Sequence, residues 1–259
     1  MSDVQATREG PVATLTLARP DRRNALDPSL LGSLAGAVED ASRDSGVRVV
    51  VVTGAGSVFS AGADLDWMHA SRNLSDEGNR EDAAAMAAAF ETVDRCPKAL
   101  IARVNGPAIG GGAGLVACAD VAVAVEGARF AFAEVRLGLL PAVVSPYVLR
   151  AIGPGHAREL FTTGRTFDAE EAMTLGLVHR VVGSEALDAA VAEAVDAFLA
   201  CGPDAVAANK RLVRDATASL ALPDLPDRIA LARASAEGQE GIAAFLEKRP
   251  PRWLSSADS

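Results

Sequence analysis

The chain has 259 residues, which is long enough for one large domain with a sizeable core. Its hydrophobic fraction of 49% and charged fraction of 23% are ordinary for a soluble enzyme. The formal charge of −9 argues against a general nucleic-acid-binding surface, so a phosphate-bearing ligand would need local cations. Three widely spaced cysteines exclude a disulfide framework and give no zinc pattern; they are Cys96, Cys118 and Cys201.

The sequence gives no signal for secretion or for a membrane span. The first ten residues, MSDVQATREG, contain no apolar stretch of the kind that a secretory signal needs. No run reaches the roughly 18 apolar residues of a membrane-spanning helix. We therefore expect a cytoplasmic protein without a membrane partner.

Four segments in the first half of the chain are typical of strands. Residues 12–17 (VATLTL) alternate between apolar and polar side chains and predict a half-buried strand. The apolar run 47–52 (VRVVVV) predicts a strand buried on both faces. Further strands are predicted at 99–105 and 121–125, each after a helical or glycine-rich segment. This order indicates a repeated strand, strand, helix unit in an α/β fold.

Capping residues mark the predicted helix starts. Aspartate then proline at 27–28 supplies an N-cap and a first helical residue, and serine then proline at 145–146 repeats the signal. Asp168 with Glu171 resembles a capping box, and Gly176 is suited to end that helix in a left-handed turn. The first of these helices has an apolar stripe formed by Leu30, Leu31, Leu34 and Val38.

The last third of the chain is predominantly helical in pattern. The pattern is helical over 184–200, breaks at the Cys-Gly-Pro of 201–203, and is helical again through Leu212. The LPDLPD segment at 222–227 predicts another break before the last helices. A helical layer of this kind covers a core or joins subunits.

Two turns rich in small residues follow predicted strands. The first is SAGADL at 60–65, where a helix starting near Asp64 directs its N–H groups and positive dipole end at the turn. The second is the glycine run 110–112 within NGPAIGGGAG. Small side chains let a ligand approach the backbone, and N–H donors from two segments can converge on one oxygen atom. The pair of turns therefore predicts an oxyanion-binding site.

A single acid, Glu134, stands downstream of the second turn in the segment FAEVRLGLLP at 132–141. A carboxylate beside an oxyanion site can act as general base and acid by moving a proton at the substrate. The apolar neighbours expected around it are Phe130, Phe132, Leu137 and Leu139. Burial among them would raise its pKa toward the working pH. Glu134 is thus the predicted proton carrier.

Six landmarks in fixed order carry a family resemblance over essentially the whole chain. They are RPDRRNAL (19–26), FSAGADL (59–65), NGPAIGGGAGL (105–115), CAD (118–120), EVRLGLLP (134–141) and GLVHRVV (176–182). With these landmarks the chain resembles the crotonase superfamily, the enoyl-CoA hydratase and isomerase family. The resemblance implies an α/β fold with a crotonase-type ββα spiral core at 1–195 and a C-terminal helical trimerisation region at 196–259. It also implies a homotrimer or homohexamer.

The resemblance further implies an acyl-CoA substrate, with coenzyme A as part of the substrate and no permanently bound cofactor or metal. The thioester oxygen would accept hydrogen bonds from the N–H groups at the positions matching Ala63 and Gly111, with Glu134 as the acid and base. Such a donor typically contributes about 3 kcal/mol of transition-state stabilisation. Residues implied on the coenzyme A side are Arg22, Ala25, Ala61, Asp64, Leu65 and Lys248. Lys248 would reach the nucleotide of a neighbouring subunit.

Position 114 departs from the family pattern. Many hydratases of the family carry two glutamates, matching positions 114 and 134, whereas this chain has Gly114 and Glu134. Glycine cannot move a proton, so Gly114 favours a Δ3,Δ2-enoyl-CoA isomerase, in which one acid moves a proton between C2 and C4. A non-catalytic acyl-CoA-binding protein is a further alternative, against which the retained Glu134 argues.

A second resemblance favours hydration. The string EVRLGLLPAVVSPYVLRAIG at 134–153 is similar to hydratases that act on 3-methylglutaconyl-CoA or its larger relatives. Loss of the acid at position 114 would make room and remove a negative charge near the terminal carboxylate of such a substrate. Arg136 and Arg158 are candidate partners for that carboxylate.

Overall fold

A computed structural model describes residues 3–218 and 235–255. Within them the strands are β1 (Val4–Glu9), β2 (Val12–Leu17), β3 (Val49–Gly54), β4 (Ala99–Val104), β5 (Ala108–Ile109), β6 (Val121–Val125), β7 (Arg129–Ala131), β8 (Thr166–Asp168) and β9 (Arg180–Val182). The helices are α1 (Pro28–Arg43), α2 (Leu65–Ser71), α3 (Asp76–Asp94), α4 (Gly111–Ala117), α5 (Ser145–Thr163), α6 (Ala169–Leu175), α7 (Leu187–Leu199), α8 (Pro203–Ala218), α9 (Ala236–Glu247) and α10 (Arg252–Ser255). The predicted α/β organisation is confirmed.

The strands divide between two sheets. The larger sheet has the order β1-β2-β3-β4-β6-β9, and the smaller sheet has the order β5-β7-β8. In the larger sheet β1 pairs with β2 antiparallel, and every later pairing is parallel. In the strand, strand, helix units β4-β5-α4 and β6-β7-α5, the first strand joins the larger sheet and the second joins the smaller one. The repeated strand, strand, helix unit is therefore present.

Strand β3 lies between two apolar clusters, one on each face of the larger sheet. All six of its residues are buried, as predicted for an apolar run covered on both faces. Val50 and Val52 face the main core, whereas Val49 and Val51 pack with the apolar face of α7. The α7 residues in that second cluster are Leu187, Ala190, Val191 and Val195. Helices thus cover both faces of the larger sheet and fix its strands.

Most predicted helix starts are confirmed, with two corrections. The Asp27 side chain accepts from the N–H of Leu30, which makes it the N-cap of α1. Asp168 caps α6 in the same way, but the Glu171 carboxylate pairs with Arg165, so the reciprocal half of the capping box is absent. Ser145 is the first residue of α5 and its hydroxyl donates to the carbonyl of Ala142, so the prediction of an N-cap there was wrong.

Other boundaries differ modestly from the predictions. The strand expected at 47–52 lies two residues later, because the N–H of Val47 bonds to the carbonyl of Asp44 and closes the turn that precedes the strand. The helix expected to reach Leu212 extends to Ala218. Strand β1 and helix α3 were not predicted. The break predicted at 222–227 lies outside the described residues.

The division of the chain after residue 195 stays a prediction, and that residue falls within α7. Two segments beyond it meet at Arg48, just before β3. The Arg48 guanidinium donates to the backbone carbonyls of Cys201 and Trp253, and the Trp253 indole donates to the carbonyl of Ala200. No described helix is long and apolar enough to span a membrane.

Candidate active site

Four chain segments run parallel at one edge of the smaller sheet. Isolated parallel bridges join Leu26 to Ala63 and Ser60 to Ala108, and β5 pairs with β7 beyond them. All four segments therefore end on the same side. The carboxyl ends of parallel strands are where ligands bind in open α/β sheets. That edge carries both predicted turns and Glu134.

A buried asparagine holds the first of these segments in place. Asn24 is fully buried and its backbone adopts a left-handed conformation with φ of 53°. Its side-chain amide donates to the carbonyls of Ala55 (2.9 Å) and Val58 (2.7 Å) and accepts from the N–H of Arg19 (3.0 Å). This anchors the turn that precedes Leu26 against the segment leading to the first small-residue turn.

The two small-residue turns lie against each other. Gly62 has φ of 88°, and a Cβ atom there would lie only 3.0 Å from the carbonyl oxygen of Ile109. Gly110 has φ of 51°, and a Cβ atom there would lie 4.0 Å from the Cα atom of Gly62. Both positions favour glycine for the backbone angle, and Gly62 also for the close approach to Ile109. The chain brings the turns of 60–65 and 110–112 together, as predicted.

Each turn presents an N–H group without a partner among the described residues. Leu26 bonds to the carbonyl of Gly62 and to the N–H of Asp64, so the N–H of Ala63 points to the opposite side of its segment. Gly111 is the first residue of α4, where the N–H groups of a helix are unpaired and its dipole is positive. These are the two donors predicted for an oxyanion.

Glu134 lies beside the second turn. It begins a 3₁₀ helix, Glu134–Leu137, shortly after β7, and its Oε1 atom is 3.1 Å from the place that a Cβ atom on Gly110 would take. Its Oε2 atom is buried and has no hydrogen-bond partner among the described residues. Burial raises the pKa of Glu134 above the ordinary glutamate value. A carboxylate in this state is suited to take up a proton.

The surroundings of Glu134 match the prediction in part. Phe130 and Phe132 are fully buried before it. Leu137 and Leu139 are 61% and 55% exposed, so the prediction that they bury the carboxylate was wrong. They lie in the tight turn after Glu134, which Gly138 closes with φ of 71°, and this turn directs their side chains outward.

Position 114 is closed. Gly114 is buried in α4, and a Cβ atom there would lie 2.3 Å from Cγ1 of Val144. The expectation that loss of the second acid makes room is therefore wrong, because Val144 fills the space.

Four of the six predicted coenzyme A residues lie together. Ala25 is buried, the N–H of Ala61 donates to the carbonyl of Arg23, and Leu65 is 78% exposed beside Ala63. Asp64 caps α2 by accepting from the N–H groups of Asp66 and Trp67. These residues surround the first turn.

Arg22 is paired rather than free. Its guanidinium lies 3.1 Å from an oxygen of Asp64 and 3.0 Å from an oxygen of Asp66. The hydrogen bond and charge of Asp64 raise the pKa of Arg22. A phosphate would have to compete with both carboxylates.

Lys248 is not brought to this edge in a single chain. It follows α9, and its neighbour Arg249 pairs with Glu240. Within the described residues, no hydrogen bond or ion pair joins the Lys248 side chain to the two turns. Arg136 and Arg158 likewise have no ion pair among the described residues, and the Arg136 stem packs over Gly164 at the end of α5.

Sequence reasoning missed three residues that shape the site. Asn24 holds the first segment, Ser60 packs where a side chain on Gly112 would go, and Val144 closes position 114. Only Asn24 carried a usable signal, because asparagine is among the non-glycine residues enriched in left-handed backbone conformations. The contacts of Ser60 and Val144 join distant parts of the chain. No group of three or more potential metal ligands occurs among the described residues.

Comparison with known proteins agrees with this geometry. The sequence matches the enoyl-CoA hydratase/isomerase family over residues 7–256. A putative enoyl-CoA hydratase of Thermus thermophilus is 40% identical over 255 residues, which cover 95% of this chain and 98% of that protein. The 2,3-dehydroadipyl-CoA hydratase of Escherichia coli is 35% identical over 257 residues, which cover 97% of this chain and 98% of that protein.

A solved structure is similar throughout. The crystal structure of a putative enoyl-CoA hydratase/isomerase (crotonase) from Legionella pneumophila has a TM-score of 0.89 and 40% identity, covering 98% of this chain and 99% of that one. The predicted crotonase-type fold is confirmed. The chain belongs to the enoyl-CoA hydratase/isomerase family and is an enzyme of that family.

Proposed function

We propose that the protein is an enoyl-CoA hydratase that adds water reversibly across the C2=C3 double bond of an acyl-CoA thioester. One observation carries the proposal: the Glu134 carboxylate lies beside the second turn, and neither its buried Oε2 atom nor the N–H of Gly111 in that turn has a hydrogen-bond partner among the described residues. A proton carrier and an oxyanion donor at one place are what this addition needs. The similarity to proteins named as hydratases supports hydration as the proposed reaction.

The proposed step uses a single carboxylate. Glu134 takes a proton from water as the water oxygen bonds to C3, and the electron pair of the double bond moves through C2 onto the thioester oxygen. The N–H groups of Ala63 and Gly111 stabilise the negative charge on that oxygen. Protonated Glu134 then gives its proton to C2. One water molecule has been added, and the carboxylate is restored.

A Δ3,Δ2-enoyl-CoA isomerase is the second candidate, and the closed position 114 favours it. Gly114 has no acid, and Val144 and Phe90 are the nearest groups where its side chain would stand. In that reaction Glu134 takes a proton from C2 and returns one to C4, while the same N–H groups hold the dienolate oxygen. No water has to be held.

For the substrate, we propose a 3-methylglutaconyl-CoA-type thioester with a terminal carboxylate. Arg136 supports this, because it lies two residues after Glu134, is exposed and has no ion pair among the described residues. Arg136→Gln is expected to raise KM for 3-methylglutaconyl-CoA about ten-fold, the loss of one charged contact, and to leave an unbranched 2-enoyl-CoA unchanged. Arg43→Gln, which removes a charge at the end of α1, is the control. Equal KM changes for both thioesters would contradict the role.

One experiment separates the candidates. Purified protein is incubated with 2-enoyl-, 3-enoyl- and 3-methylglutaconyl-CoA in H₂¹⁸O, and the products are identified by mass spectrometry. Incorporated ¹⁸O supports hydration, whereas a shifted double bond without ¹⁸O supports isomerisation. The absence of both, together with no deuterium exchange at C2, would indicate a protein that only binds acyl-CoA.

The proposal extends to assembly and location: a cytoplasmic homotrimer or homohexamer that binds coenzyme A only as part of its substrate. Exposed leucines at 137, 139 and 140 support an assembly, because contiguous exposed apolar side chains typically mark contact surfaces. Light scattering of the purified protein measures the subunit number.

A further inference from the structure

The glycines of α4 lie under an apolar layer. Gly111 and Gly114 are three residues apart, so they share one face of the helix. A Cβ atom on Gly111 would lie 3.6 Å from the Phe90 ring, and one on Gly114 would lie 3.3 Å from it. Phe90 is fully buried and stacks on Tyr147 with ring centroids 6.2 Å apart. Tyr147 therefore holds the Phe90 ring in place against the two glycines.

Val144 closes this layer at position 114. Its Cγ1 and Cβ atoms lie 2.3 Å and 2.7 Å from the place of a Cβ atom on Gly114, which is closer than such contacts occur. Val144 is 4% exposed, and its carbonyl accepts from the N–H groups of Tyr147 and Val148 at the start of α5. The valine is held on both its side chain and its backbone, so it cannot easily move aside.

We propose that Val144 is the residue that determines the chemistry of position 114. With Val144 in place, position 114 accepts only glycine, and the site has a single carboxylate. With Val144 removed, position 114 can carry a second acid that holds water opposite Glu134. The packing half of this inference is that Val144 restricts position 114 to glycine, and it does not depend on any reaction. The catalytic half is that a second acid at position 114 would hold water, and it rests on the proposed acyl-CoA chemistry.

A stability cycle tests the packing half without any substrate. Gly114→Ala is expected to lower the urea midpoint of unfolding. Val144→Gly also removes buried apolar contacts, so the test is the difference between Val144→Gly and the double variant: there, Gly114→Ala is expected to cause a much smaller loss than it does beside Val144. Glycine is needed at 144 because the Cβ atom of alanine would still be too close. Gly36→Ala is the matched control: it lies within α1, has no atom within 4 Å of its Cβ position, and should leave the midpoint unchanged or higher.

Two outcomes would overturn the packing half. One is a Gly114→Ala variant as stable as the wild type. The other is an equal loss from Gly114→Ala with and without Val144, which would show that the two positions are independent.

The catalytic half is tested by comparing Gly114→Glu/Val144→Gly with Val144→Gly alone. In H₂¹⁸O, the double variant is expected to raise the ratio of hydrated to isomerised product about ten-fold or more, since a second acid can contribute at least that factor. An unchanged ratio in a folded double variant would reduce Val144 to a packing residue and overturn its catalytic role. If the wild type also processes no acyl-CoA while the stability cycle shows coupling, the proposed function fails and the packing inference stands.

Discussion

Two carboxylates at the same edge of the smaller sheet are in opposite electrostatic states. Asp64 is 4% exposed; burial alone would raise its pKa, but the N–H groups of Trp67 and Asp66 and the Arg22 guanidinium stabilise the anion and lower its pKa. Arg19 adds a second ion pair at 3.0 Å. Glu134 has a raised pKa and a buried oxygen without a partner among the described residues.

The difference separates an acid that holds the local structure from an acid that the proposed reaction would use. Asp64 has its hydrogen bonds formed before any ligand arrives, so it holds the start of α2 and the turn at Ala63 in place. In the part of the chain that the structure describes, one oxygen of Glu134 has no partner, and an unsatisfied buried polar atom costs free energy that a folded protein otherwise avoids. A substrate or water molecule that pairs with this oxygen removes the cost. The following predictions test this contrast.

The largest effect is expected for Glu134→Gln. The amide cannot take a proton, so turnover should fall by about 10²- to 10⁴-fold, whereas acyl-CoA binding should persist. Burial raises the pKa of Glu134, so the charged form destabilises the fold above that pKa, and the variant should be at least as stable as the wild type at neutral pH. Steady-state kinetics and denaturant unfolding measure the two effects.

The stability difference between Glu134→Gln and the wild type should depend on pH in a defined direction. The stability gain of Glu134→Gln should disappear as the pH falls below the ordinary glutamate pKa of 4.5, where the acid is protonated in both folded and unfolded states. The acid limb of kcat/KM in the wild type should lie above that pH. Turnover equal to the wild type would refute the role of Glu134.

The next effect concerns the N–H of Gly111. Gly111→Pro deletes that donor, and proline is tolerated at the first residue of a helix. Loss of one oxyanion donor should lower kcat about 10²- to 10³-fold. Gly111→Ala is the matched control, since its Cβ atom meets Leu26 at the same 2.8 Å but its N–H remains. If both variants lose activity equally, the clash with Leu26 and not the donor is responsible.

Asp64→Ala should act on stability instead of chemistry. Loss of the N-cap and of its ion pairs is expected to lower the free energy of unfolding by about 2 kcal/mol. The pKa of Asp64 is lowered, so its stabilisation is present above the ordinary aspartate pKa of 3.8 and is lost as the pH falls through the folded-state value. Urea unfolding of both proteins at pH 7 and pH 3.5 should show the difference shrinking. A constant difference would mean that the charge of Asp64 contributes nothing.

Much of the fold was predictable because its signals are local. The apolar run of β3, the Asp27 cap and the left-handed Gly176 each depend on neighbours within a few residues. The same holds for the two turns, whose small residues are visible in sequence. Strand β1 was missed because five of its six residues are exposed, so it lacks the apolar alternation that marks a half-buried strand.

The site was predicted less completely, because distant partners decide the state of its residues. Ser145 carried a capping signal, but its hydroxyl bonds to Ala142 outside the helix. Arg22 was predicted to lie on the coenzyme A side, whereas its ion pairs with Asp64 and Asp66, more than forty positions along the chain, were not predicted. Which of several carboxylates faces a given arginine is set by the fold and not by local spacing.

The smallest effect is expected for Asp66→Asn, which changes the ion pairs between Arg22 and the segment that Asp64 caps. Asp66 is 81% exposed and lies 3.0 Å from Arg22, so Asp66→Asn frees part of that guanidinium for a phosphate while Asp64 stays in place. KM for an acyl-CoA should fall about two- to five-fold, as expected for an exposed ion pair, and the gain should shrink at high salt. Asp40→Asn removes an exposed ion-paired aspartate of α1 and is the matched control for net charge. A rise in KM for Asp66→Asn would show that Asp66 helps Arg22 to hold the turn, which would extend the structural role of Asp64 to its neighbour.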